Sequence, residues 1–145
     1  MRFFLFLAVL FTGSFFMACQ SDAQTTVKTI GKSGSSVIEV IDFHTTHRCK
    51  TCLTIENTAK NILEASFSKE MKAGKIVFKT VNVDEAANAK LAERYEASGS
   101  ALFIYNGKTG KAVDLTDFAF MYAVSNQNKF SEGFKAEVQK ALNAL

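Results

Sequence analysis

One heptapeptide limits the fold of this chain more than any other stretch. Val37-Ile38-Glu39-Val40-Ile41-Asp42-Phe43 is β-branched and mostly apolar on both of its faces. A half-exposed strand alternates polar with apolar residues. A run that is apolar on both sides has to be covered on both sides, which predicts a strand in the middle of a sheet.

The segments downstream supply the cover. Cys52, Ile55, Ala59, Ile62, Leu63 and Phe67 recur at helical spacing, with Lys50, Thr54, Asn57, Lys60, Asn61 and Glu64 on the opposite face. Gly74 punctuates, and Ile76 to Val83 reads as a second strand. Asp84 is placed to cap a helix that turns Ala87, Leu91 and Tyr95 inward. Gly99 precedes a third strand, Ala101 to Tyr105; Asn106-Gly107 opens a tight turn, and Lys111 to Asp114 returns antiparallel. Leu115 to Ala123 suits a short helix beginning near Thr116 or Asp117. Phe130, Phe134, Val138 and Leu142, four apart, mark a final amphipathic helix. The order β-α-β-α-β-β-α predicts an α/β fold, a three-layer α/β/α sandwich on a central mixed four-stranded sheet. One domain, residues 37–145, is expected.

The N-terminus reads as an export signal. Arg2 is followed by an apolar run from Phe3 to Phe11, short of the roughly 20 residues that span a bilayer. Phe16-Met17-Ala18-Cys19 resembles the end of a bacterial lipoprotein signal, which makes Cys19 the expected lipidation site. Cleavage after Ser21-Asp22-Ala23 is the alternative. Either route exports the domain; the first anchors it to a membrane of the cell envelope, facing the periplasm or the exterior. Residues 20–36, rich in Ser, Thr and Gly, read as a flexible polar tether. Gly31-Lys32-Ser33 is no phosphate loop, because Thr26 stands where its first glycine belongs.

Without Arg2 the exported chain holds 16 of the 17 basic residues against 14 acidic ones, a net charge of +2. No basic stripe with interleaved aromatics accompanies that weak excess, which argues against nucleic acid as a partner. A monomeric domain that meets a thiol or disulfide protein partner is the expectation.

Of three cysteines, Cys49 and Cys52 form a Cys-x-x-Cys pair where the central strand hands over to its helix. At a helix start, unpaired N–H groups and the helix dipole stabilise a thiolate, and Arg48 and Lys50 add positive charge. Cys49 is therefore the candidate nucleophile, Cys52 the resolving thiol, and Asp42 a candidate proton acceptor for it. His47 is placed to tune Cys49. The redox group is then the disulfide itself, with no separate cofactor. A second reading stays open: His44, His47, Cys49 and Cys52 are ligand types for zinc, copper(I) or a metalloid such as arsenic.

The strand, the pair and the element order together resemble the thioredoxin fold, over Val37 to Leu145. That resemblance implies thiol–disulfide exchange, and Asp42 matches a buried aspartate that members often carry upstream of the pair. More narrowly, His44-x3-Arg48-Cys49-Lys50-Thr51-Cys52 resembles small bacterial lipoproteins of the ArsF family, named for a subunit of a nitrophenyl compound nitroreductase. This implies an electron-relay role within a larger reductase. One departure stands out. Thioredoxin-fold oxidoreductases place a cis-proline opposite the pair, and this chain has no proline. Ser100 takes that place. A cis bond without proline costs about 3–4 kcal/mol, so a trans Ser100 is expected. The family's proline holds the substrate strand and discourages metals, and both functions are left open here.

Overall fold

The structure, a computed structural model, describes residues 25–30 and 34–145. The expected signal, Cys19 and the alternative cleavage site lie outside these residues. The chain folds as a mixed α/β structure. Its elements are β1 (Thr26–Thr29), β2 (Ile38–His44), α1 (Lys50–Ser66), α2 (Ser68–Lys72), β3 (Ile76–Asn82), α3 (Ala89–Tyr95), β4 (Ala101–Asn106), β5 (Lys111–Asp114), α4 (Thr116–Tyr122) and α5 (Gln127–Asn143). Among the described residues no helix is long and apolar enough to cross a membrane.

The sheet has five strands in the order β1-β5-β4-β2-β3, not the expected four. The extra strand comes from the stretch read as a tether. Thr26 to Thr29 pair antiparallel with β5, Thr26 opposite Asp114 and Thr29 opposite Lys111. The physical reason lies in β5, whose outer row of backbone donors and acceptors is satisfied by this ladder. Lys28 adds an ion pair to Glu96 at 2.7 Å.

The central heptapeptide behaves as its composition demands. β2 lies between β3, parallel, with Asp42 opposite Thr80, and β4, antiparallel, with Asp42 opposite Leu102. Ile38, Val40, Ile41 and Phe43 are fully buried. Because side chains alternate along a strand, Ile38 and Val40 join one apolar layer and Ile41 and Phe43 the other. The first layer is closed by Ile55, Ala59 and Leu63 of α1, Ala119 of α4, and Phe130, Phe134 and Val138 of α5. The second holds Phe43, Tyr95 and Phe103, whose rings meet at 5.0–5.9 Å. Asp42 falls by the same alternation on the α1 side.

α1 ends at Phe67, where the backbone turns, and a short second helix that the sequence pattern did not indicate takes over. Between β4 and β5, Asn106 organises the turn: its Oδ1 accepts from the N–H groups of Lys108 and Thr109 at 3.0 Å, while its amide donates to the Ala141 carbonyl. Gly107 sits against residues 34–37, where a Cβ would stand 2.6 Å from the Ser35 carbonyl oxygen, so no larger residue fits.

Candidate active site at the cysteine pair

The last turn of β2 and the first turn of α1 bring the candidate residues together. Cys49 is the N-cap of α1, with extended backbone, and its Sγ accepts the Cys52 N–H at 3.0 Å. A cap sulfur thus takes the place of the usual oxygen acceptor at a helix start. Cys49 and Cys52 are joined as a disulfide, with Cα atoms 5.2 Å apart. The two sulfurs differ in access: Cys49 is exposed, and Cys52 is 7% exposed. The reason is the helical stripe itself, in which Cys52 occupies the same inward face as Ile55 and Ala59.

Beneath the pair is Asp42, 3% exposed. Asp42 and Cys52 line one narrow recess together with Ser100, Leu102, Thr116 and Phe120, and it leaves no room for a water molecule. Burial pushes the Asp42 carboxyl up to about 7, against the lowering effect of Arg48; Glu56 pushes the same way as burial. A carboxyl held near neutrality can accept or release a proton at ordinary pH.

Arg48 does not simply lend charge to Cys49. Its Nη2 donates to Asp42 Oδ2 at 2.9 Å, and its Nη1 to Glu56 Oε2. Its Nε, also buried, has no hydrogen-bond partner. The guanidinium is therefore divided between two carboxylates, one behind the disulfide and one on α1. Glu56 is a residue that the sequence reading passed over. The signal was faint: four residues after Cys52, it lies one turn further along the same side of the helix.

The loop from His44 to Cys49 is fastened to the segment after β3. Asp84, fully exposed, accepts the Thr46 N–H at 2.7 Å, and Asn82 Nδ2 donates to Thr46 Oγ1. The Val83 N–H donates to the His44 carbonyl. That hydrogen bond to Thr46, with His47 and His44 nearby, holds the Asp84 carboxyl below its usual range. Asp84 is thus occupied by the loop and does not cap α3, which is entered through a 3-10 turn at Ala86–Asn88. Ala87 is exposed there, whereas Tyr95 is buried as expected.

His44 ends β2, and its Nδ1 donates to the Thr45 carbonyl; His47 is exposed. Among the described residues no three or more His, Cys, Asp or Glu side chains are gathered so as to hold a metal ion. The set His44, His47, Cys49 and Cys52 is therefore not brought together as a ligand sphere. The disulfide is itself a group that can take up and release two electrons. Ser100 stands directly before β4, beside the recess, and no peptide bond among the described residues is cis. In comparisons with known proteins, neither the family models nor the curated proteins gave a match to this chain.

Proposed function

We propose that this protein carries out thiol–disulfide exchange through Cys49 and Cys52, on a thioredoxin-like scaffold held at the cell envelope by a lipid on Cys19. The observation that carries the reading is the asymmetry of the pair. One sulfur is exposed at a helix N-cap, and the other is buried over a carboxyl whose proton is poised near neutrality. A structural disulfide needs neither the exposed cap sulfur nor the proton partner.

The reaction runs from the oxidised form as follows. A thiolate of a substrate dithiol attacks the accessible Cys49 Sγ. The Cys49–Cys52 bond breaks, and Cys52 leaves as a thiolate that takes a proton from Asp42. The second substrate thiolate then attacks the substrate sulfur of the mixed disulfide and releases Cys49 as a thiolate. The substrate loses two electrons and gains a disulfide; the protein pair gains the two electrons. In the opposite direction Cys49 attacks a substrate disulfide, and Cys52, giving its proton to Asp42, resolves the intermediate at Cys49. Helix-start N–H groups stabilise the Cys49 thiolate in both directions.

The test uses two variants. Cys49→Ser is expected to abolish exchange with a model disulfide, and Cys52→Ser to trap a mixed disulfide at Cys49. Retention of most of the wild-type rate by Cys49→Ser would sink the reading.

A further inference from the structure

Asp42 is one half of a divided ion pair, and the other half is reachable from solvent. Two carboxylates compete for one guanidinium: Asp42, with its side chain 5% exposed, and Glu56, 20% exposed. Glu56 also borders an open groove with Lys60, Met71, Val77 and Phe78. No water-sized space reaches Asp42 from the recess it shares with Cys52. The charge environment of Asp42 is then set by few groups. Arg48 faces it from the loop, and Glu56 and Cys52 from α1. Its neighbours on β3 and β4 are Thr80 and Leu102. Ser100 before β4, and Thr116, Ala119 and Phe120 from α4, complete the recess without adding a charge.

We infer that Glu56, acting through Arg48, is a positioning residue that sets when Asp42 holds its proton, and so when Cys52 can be released or can attack. This rests on the exchange reading above. The geometry gives the direction. While Glu56 is ionised it draws part of the Arg48 charge to itself and opposes a second negative charge at Asp42. Both effects keep Asp42 protonated to higher pH. The orphan Nε of Arg48 fits the same picture, since the side chain is held by its two terminal nitrogens alone. Take Glu56 away and Arg48 serves Asp42 undivided.

Glu56→Gln isolates the charge, because the glutamine keeps the shape and an acceptor oxygen for Nη1. The carboxyl carbon of Asp42 is titrated by NMR in the full chain, with the disulfide intact. The same proteins are then reduced, and the pH profile of Cys52 attack on a Cys49 mixed disulfide is recorded by stopped flow. In Glu56→Gln the Asp42 midpoint is expected to fall by about 1 pH unit, with the acid limb of the profile falling alongside. Glu56→Asp, which restores the charge, is expected to return both toward wild type. An unmoved Asp42 midpoint in Glu56→Gln overturns the inference, whatever the exchange activity. A moved midpoint with an unmoved profile also overturns it, because Asp42 is then not the proton partner of Cys52. A wild-type protein with no exchange activity fails the function proposed above instead. In that case the titration still decides whether Glu56 governs Asp42.

Discussion

Replacing Asp42 by asparagine is expected to stabilise the protein, and to do so more above neutral pH than at pH 5. Protonation of Asp42 is linked to folding. In the unfolded chain the Asp42 carboxyl ionises around its ordinary 3.8, whereas in the folded protein burial holds it at about 7. Between those values the folded state binds the extra proton, so the stability that Asp42 contributes falls as pH rises through the window and is constant above it. At about 1.4 kcal/mol per pH unit, the full gap corresponds to about 4 kcal/mol. The hydrogen bond from Arg48 is already contained in that gap, since it acts to lower the Asp42 value. Asparagine, which stays neutral, is therefore expected to gain up to about 4 kcal/mol at pH 8 and about 2 kcal/mol at pH 5. The sharper quantity is the difference between two pH values, because the packing of asparagine cancels from it. Between pH 5 and pH 8 the wild-type protein is expected to lose about 2–3 kcal/mol relative to Asp42→Asn. Urea unfolding of both oxidised proteins, followed by far-UV circular dichroism at the two pH values, measures this directly. Parallel pH dependences in the two proteins would refute the reasoning, since Asp42 would then titrate alike folded and unfolded.

Other expectations concern the frame of the site. Asp84→Ala removes the acceptor of the Thr46 N–H, so amide exchange at Thr46 is expected to quicken by about tenfold or more while that of the buried β2 amides is unchanged. In the wild-type protein the same hydrogen bond is strong at neutral pH and is lost as pH falls through the depressed Asp84 value, so exchange corrected for its intrinsic pH dependence should rise only at low pH. Gly107→Ala drives a methyl against the Ser35 and Val37 carbonyl oxygens and is expected to cost about 1–3 kcal/mol in thermal or urea unfolding. An unchanged melting temperature would mean that residues 34–37 do not pack on the turn.

What could be read from the chain beforehand was what is written locally. The Val37–Phe43 run announces a buried central strand, and the structure places Ile38–His44 there. The stripe through Cys52, Ile55 and Leu63 gives α1 and its inward face, and Phe130, Phe134 and Val138 give α5. The short helix expected near Thr116 runs from Thr116 to Tyr122. Most of the misses share a cause, which is that a contact outside the local pattern decides them. Thr26–Thr29 is short and polar, and only the open edge of β5 makes it a strand. Asp84 looks like a helix cap until Thr46, far back in the chain, claims its carboxylate. Arg48 looks like a charge beside Cys49, because its sequence neighbours are visible and the direction of its guanidinium is not. Glu56 carries only the faint signal of its spacing from Cys52, since its significance lies in sharing that guanidinium.

The central place of β2 also bears on the order in which the molecule assembles. β4 and β5 are joined by a short turn and can pair as a hairpin within microseconds. The β2–β3 ladder is parallel, and it has to wait until all of α1 and α2 has been looped across. β2 is flanked on both sides, so the nucleus that unites the two halves of the sheet must recruit it. The cysteine pair sits at the hinge between β2 and α1. Its two sulfurs are neighbours in the chain long before the recess behind them closes, so early in folding the pair is open to small thiols from both sides. Only docking of α1 onto β2 gives it one exposed face.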